Sequence, residues 1–276
     1  MEPVLRELSE QGVADLKPFF PQSVLADWNR RMNPLFKDRP LDRSYVKADE
    51  LHETGILGEF FTPAVRELIR GLIPDAVLYH CHAYEIAAQN EKPHIVGDVL
   101  NGWHRDLDVT ATNPHSGDCL SFFLYLSEVV QKTDGPFEII PKEFTGRVQK
   151  GMKSRKMMGP AGTFFIWNRK MLHRASPNSG SVRRRLLKLS IQPNTAANQY
   201  MAQPAFEKVL NETSARDEFL AFMFGKHFGE KRVLPEVHAP GVSFEVLPIQ
   251  TNDAVNISWI DALKNRLKPE KTAMMG

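Results

Sequence analysis

Along this chain the spacing of apolar positions changes twice. From Gln22 to Phe36, residues Val24, Leu25, Trp28, Met32 and Leu35 recur at helical spacing and predict one buried stripe. Thr62-Pro63 opens a second helix, with threonine as N-cap and proline in the first turn. Its apolar residues Val65, Leu68, Ile69 and Leu72 share a face, and Pro74 stops it. The region 1–75 therefore reads as helical. The pattern then shortens. Ala76 to Ala88, Cys119 to Val130, Gly135 to Pro141, Thr163 to Trp167 and Leu186 to Gln192 are strand-like runs separated by Gly, Pro, Asn and Lys. Short strands punctuated by turns predict a sandwich or jelly-roll barrel over 76–192. Helix returns after 193. Ser214-Ala215-Arg216-Asp217 predicts a helix start running to Phe228, Ile257 to Leu267 a last helix, and Lys268 to Gly276 a frayed end. The expected class is mainly β with flanking helices (α+β), in a single domain spanning 1–276.

Composition narrows the function classes. A formal net charge of +2 gives no case for nucleic acid or a membrane surface as partner. The two cysteines, Cys81 and Cys119, lie in apolar strand-like runs, as buried free thiols do. No basic start followed by an apolar run opens the chain, and no stretch approaches the about 20 apolar residues of a membrane helix. A cytoplasmic setting and a small-molecule substrate are the expectation; oligomeric state is not legible.

The chemistry centres on Trp103-His104-Arg105-Asp106. Strand side chains alternate, so His104 and Asp106 share a face and Arg105 points away. Asp108 has the same parity and is a rival ligand. Alone, such a tripeptide most often meets solvent. His173, reached through the buried run Gly162 to Trp167, adds a second imidazole. Two imidazoles and one carboxylate with positions left open are the ligand pattern of non-haem Fe(II) oxygenases. Arg183-Arg184-Arg185 then leads into the next strand. A guanidinium there can grip the far carboxylate of 2-oxoglutarate while the keto-acid end chelates iron. Leu187, Leu189 and Ile191 read as core-facing, and Arg184 shares the opposite, polar face with Lys188 and Ser190. Arg184 is the preferred anchor, with Arg183 and Arg185 in reserve; a solvated edge is expected for two of the three.

At these residues, and at Gly135-Pro136-Phe137-Glu138-Ile139-Ile140-Pro141 and Asn178, the chain resembles the phytanoyl-CoA dioxygenase family of Fe(II)/2-oxoglutarate oxygenases. The resemblance covers roughly 75–192. It implies a double-stranded β-helix (jelly-roll) core, His104, Asp106 and His173 as iron ligands, Arg184 as the 2-oxoglutarate anchor, and O2 as the oxidant. Implied with it is hydroxylation of an aliphatic C–H, releasing succinate and CO2. Asp106 favours this over halogenation, which needs that ligand position vacated. Two departures stand out: Lys142-Glu143-Phe144 where the family often has Gly-Ser-His, and Ala175, with Ser176 beside it, where it often has serine.

Two other readings remain at this point. His80-Cys81-His82 with Glu85 resembles a cupin metal motif that can also recruit His173. A non-catalytic jelly-roll binding protein is the other. Lastly, Arg147 to Lys156 carries five basic residues, Arg147, Lys150, Lys153, Arg155 and Lys156, in a loop-like run. It is expected mostly as a solvated loop, and as a clamp for an anionic substrate if it lines the site mouth.

Overall fold

The computed structural model describes residues 1–37, 43–90, 102–106, 119–141, 153–194, 204–237 and 241–250. The elements run α1 (Glu2–Gln11), β1 (Val13–Leu16), α2 (Gln22–Lys37), β2 (Arg43–Lys47), α3 (Ala48–Glu53), α4 (Ile56–Phe60), α5 (Pro63–Leu72) and β3 (Ala76–Ile86). They continue β4 (Leu120–Tyr125), β5 (Phe137–Ile139), β6 (Arg155–Met157), β7 (Phe164–Asn168), β8 (His173–Ala175), β9 (Arg184–Pro193), α6 (Pro204–Thr213), α7 (Glu218–Met223) and β10 (Val246–Leu247).

A major antiparallel sheet has the order β10-β1-β7-β4-β9-β3-β2, and a minor one the order β6-β5-β8. Strand alternation divides the major sheet into two apolar faces. Phe122, Leu124, Leu187, Leu189 and Ile191 face outward and pack against Trp28, Phe60, Leu68, Phe206 and Phe219 of the helices. Phe123, Tyr125, Phe165, Trp167 and Leu186 face inward, against Phe137, Ile139 and Met157 of the minor sheet. Two sheets closed on one another with helices outside are the jelly roll that the strand pattern predicts. Tyr125 bolts the sheets together: its Oη donates to Met157 O at 2.9 Å and accepts from Phe137 N at 3.0 Å.

The strand runs from Ala76, Cys119, Gly135, Thr163 and Leu186 all form, with ends trimmed or extended by a few residues. The helix at Pro63 is capped as expected, Thr62 Oγ1 accepting from Val65 N at 3.3 Å. The C-terminal half departs from expectation. The helix read from Ser214 to Phe228 is the shorter α7, because Asp217, not Ser214, is the cap: its carboxylate accepts from Leu220 N at 3.0 Å. Ser214 instead closes α6, its N–H donating to Leu210 O. Three strands also lie outside 76–192 altogether: β1 and β10, joined along one edge of the major sheet, and β2, paired with β3 at the other, so the region 1–75 is not helical throughout. The runs 257–267 and 268–276 lie outside the described residues. Cys81 and Cys119 are buried and form no disulfide with each other. No helix among the described residues is long and apolar enough to cross a membrane.

Candidate active site

The inner face carries polar residues as well as aromatics, and these build the site. His173 opens β8 and pairs with Ile139 of β5. His104 joins it by an isolated bridge, each backbone N–H donating to the other's carbonyl, at 2.9 and 3.0 Å. This ladder sets the two imidazoles side by side, ring centroids 4.2 Å apart. Trp167 and Phe137 pack against His173 at 4.3 and 5.3 Å and fix its plane.

The tautomers follow from the backbone. His104 Nδ1 lies 2.8 Å from Gly102 O, and His173 Nδ1 lies 2.9 Å from Met171 O. A carbonyl only accepts, so both Nδ1 atoms carry the proton and both Nε2 atoms present lone pairs. Those lone pairs face Asp106 Oδ1, at 3.6 Å from His104 and 3.7 Å from His173. With no proton between them, three electron-rich atoms converge, an arrangement that a cation resolves. His104, Asp106 and His173 are the one group of potential metal ligands among the described residues, their ligand atoms all within 4.8 Å of one another. Asp108 lies outside the described residues.

Asp106 is gripped from behind. Arg169 donates to its Oδ2 through Nε at 3.0 Å and Nη2 at 2.8 Å. Burial alone would raise the Asp106 carboxyl; the charge of Arg169, reinforced by Lys188, outweighs it and holds the group well below the usual carboxylate range. Burial keeps His173 well below the usual imidazole range, hence neutral and fit to ligate. A register shift in β3 between Leu78 and His80 makes a bulge at Tyr79, and the Arg169 guanidinium sits 4.3 Å above the Tyr79 ring. Arg105 points elsewhere, donating to Lys170 O at 2.6 Å.

The three arginines separate by partner. Arg183 is exposed and pairs with Glu85 at 3.0 Å. Arg185 is buried on the outer face, where it binds Glu85 Oε2 through Nε at 2.9 Å and Nη2 at 2.6 Å, and also Asn29 and Asn33 of α2. The expectation of two solvated arginines fails here: only Arg183 meets solvent, because Glu85 lies opposite Arg185 in the β3–β9 register. Arg184 is 1% exposed and points inward. Its Nη1 donates to Gly135 O, its Nη2 approaches Tyr84 Oη at 3.3 Å, and its Nε has no acceptor among the described residues. No carboxylate among the described residues pairs with it. Gly135 can make this approach because it has no side chain. Its φ is 69°, and a Cβ there would lie 2.9 Å from Asn178 Cβ.

The cupin-like set does not assemble. His80 and His82 face inward while Glu85 faces outward, its two oxygens taken by Arg183 and Arg185. The basic run 147–156 lies partly outside the described residues. Within them Arg155 is no clamp: it is buried in β6 and ion-paired with Asp15 of β1. Arg169 and Tyr79 carried no functional signal in sequence, since a turn and a bulge obey no parity rule. Lys188 did carry one, its shared parity with Arg184.

Fold and site define a class: jelly-roll proteins with two histidines and one carboxylate placed so that they could hold a metal ion. The sequence profile of the phytanoyl-CoA dioxygenase family matches residues 8–186, and the chain belongs to that family. Fe(II), 2-oxoglutarate and O2 are the cofactors of the family, and the donor set fits them. Comparison with the curated proteins finds no match. Among solved structures, the chain is similar to the epimerase SnoN in complex with Fe3+, α-ketoglutarate and nogalamycin RO, at 13% identity over 74% of this chain and 90% of that one, TM-score 0.56. It is also similar to the α-ketoglutarate-dependent carbocyclase SnoK from nogalamycin biosynthesis, at 12% identity over 70% and 84%, TM-score 0.53. A third is EvdO2 from Micromonospora carbonacea var. aurantiaca complexed with 2-oxoglutarate, at 13% identity over 70% and 91%, TM-score 0.51. At such identities the likeness is one of fold.

Proposed function

We propose that this protein is an Fe(II)- and 2-oxoglutarate-dependent oxygenase that hydroxylates an aliphatic C–H bond of a small molecule. The observation that carries the reading is the convergence of His104 Nε2, His173 Nε2 and Asp106 Oδ1 with no proton between them. These three residues would hold iron. Arg184, buried and lacking a counter-anion among the described residues, would take the far carboxylate of 2-oxoglutarate through Nε and its neighbouring N–H groups. When bound, iron with its cosubstrate supplies the coupled reaction in which one oxygen atom enters succinate, CO2 leaves and the other oxygen becomes the product hydroxyl. The chain's own part is to turn both Nε2 atoms toward the centre through the Nδ1–H bonds to Gly102 O and Met171 O, aim Asp106 by Arg169, and line the centre with Trp167 and Phe137 against water.

The whole chain serves as one oxygenase unit in this reading, since β1 and β10 complete the major sheet from outside its central strands. Two buried cysteines not joined in a disulfide fit a reducing, cytoplasmic setting. The epimerase and carbocyclase among similar structures make epimerisation and ring closure the competing outcomes. The test is succinate release from 2-oxoglutarate in the presence of compound pools, with product mass read in parallel. Release that requires Fe(II), with a gain of one oxygen, supports hydroxylation. An unchanged mass points to epimerisation, and loss of two hydrogens to cyclisation or desaturation. Tight iron binding with no succinate would sink the enzyme reading in favour of a binding protein.

A further inference from the structure

Next to the proposed iron site, the inner face of the major sheet has a polar patch that the assignments above do not use. Lys188 of β9 lies directly opposite His82 of β3, with His80 two positions along the same strand. In a face otherwise dominated by buried side chains, these three keep part of their surface open. The patch reaches the outside: Tyr45 on the edge strand β2 is 38% exposed and meets the His82 ring edge-on at 5.3 Å.

The Lys188 ammonium makes no hydrogen bond or ion pair among the described residues. The Phe123 ring lies beside it, 5.7 Å from Nζ to centroid. Asp106, the nearby carboxylate, is already held by Arg169 and faces the two imidazoles with its other oxygen. Burial lowers the Lys188 ammonium to about 8, with Asp106 opposing and Arg169 assisting, so the side chain stays largely charged at neutral pH. The same burial, with Lys188 and Arg169 nearby, takes His82 down to about 3, leaving it a neutral polar ring.

Charge accounting then points to a missing partner. Asp106 and Arg169 cancel. A divalent iron and a dianionic cosubstrate cancel as well. Among the described residues Arg184 and Lys188 remain, both cationic and both inside the barrel. An enclosed ammonium without a counter-ion is costly, and residues of similar length without charge, such as methionine, would be tolerated at this position.

We infer that Lys188, flanked by His80 and His82, is the anchor for an anionic group, a carboxylate or phosphate, carried by the substrate itself. The inference rests on the oxygenase reading, in which Arg184 is taken by 2-oxoglutarate. Lysine suits the task as a point charge on a flexible stem, and the neutral imidazoles add N–H donors without adding charge. Such an anchor would orient the substrate from the sheet side while the C–H to be oxidised lies toward His104 and His173.

The test uses the full chain loaded anaerobically with Fe(II) and saturating 2-oxoglutarate. Calorimetry compares hexanoate with hexanamide, and hexyl phosphate with hexanol. The anionic member of each pair should bind at least about tenfold more tightly, the scale of one charge-assisted contact. Lys188→Met should erase that preference, Lys188→Arg should keep it, and both should melt cooperatively. Absorbance of the Fe(II)–2-oxoglutarate chelate reads cosubstrate binding separately, and it should be unchanged in both variants. Equal binding of acid and neutral probes to the wild type overturns the inference. So does a Lys188→Met variant that loses 2-oxoglutarate instead, since the lysine then serves the cosubstrate. If the wild type forms no chelate at all, the oxygenase reading fails on that signal alone. The calorimetric comparison, repeated without metal, then decides the anion site by itself: a preference that Lys188→Met erases keeps it, and no such preference removes it.

Discussion

Arg169 binds one oxygen of Asp106 twice, through Nε and Nη2, and leaves the other oxygen aimed at both imidazoles. The carboxylate is thereby held with one oxygen free for the metal proposed above. Replacing Arg169 by methionine should free Asp106 to rotate and weaken iron binding by about 10- to 100-fold, the usual weight of a residue that orients a ligand. Anaerobic iron titration measures it. Unchanged affinity would show that Asp106 needs no such support.

Alanine at His104, Asp106 or His173 should abolish stoichiometric iron binding, because each supplies one of the three converging atoms. Alanine at His82 should retain it. Iron quantitation after anaerobic reconstitution separates this from the cupin-like arrangement, which requires the reverse for His82 and Asp106.

Arg184→Met should raise the dissociation constant for 2-oxoglutarate by about 100-fold while leaving iron in place, given the strength of a charge-assisted pair with a buried guanidinium. Arg183→Met, on the exposed side, should leave that constant alone. Equilibrium binding to both variants discriminates the two neighbours.

Asp217 links acid stability to the helical layer. It caps α7 and pairs with Arg66 of α5, the two Arg66 nitrogens lying 2.9 and 2.5 Å from its oxygens. Burial opposes ionisation, yet the Arg66 bonds and the Leu220 N–H hold its carboxyl below the ordinary range. A depressed carboxyl stabilises fully above its unfolded value of about 3.9 and loses that contribution as pH falls through the lower folded value. Asp217→Asn keeps a capping oxygen but not the charge. It should cost about 1 kcal/mol at pH 7, with the gap to wild type closing as pH falls through the depressed folded value. Urea unfolding at several pH values follows it; a gap that stays constant with pH would exclude the ion pair as its source.

How far the sequence could be read depended on the range of each interaction. The triad was legible because His104 and Asp106 obey strand parity, and His173 follows a strand too apolar to be anything but core. Arg184 was legible by parity, but the fate of Arg185 was not. Its partner Glu85 lies on a different strand, and only the register of β3 against β9 sets them opposite each other. Arg169 escaped notice because its role depends on where a turn delivers it. The strand β1 escaped because Val13-Ala14-Asp15-Leu16 is too short to show a period. Its asparate faces a partner, Arg155, far away in sequence. The α7 boundary moved because Asp217 gains from Arg66 what Ser214 cannot.

That short strand has a consequence for how the protein is made. β1 takes its place between β7 and β10, pairing Ala14 with Ile166 and Leu16 with Val246. During synthesis it leaves the ribosome long before either neighbour exists. It must then wait, with its hydrogen-bonding groups open, for most of the chain to follow. Such distant pairing makes folding slow and exposes an unpaired edge meanwhile. The sheet that carries Arg184 and Lys188 is thus finished late, and a chaperone that shields the nascent β1 segment should raise the yield of folded protein.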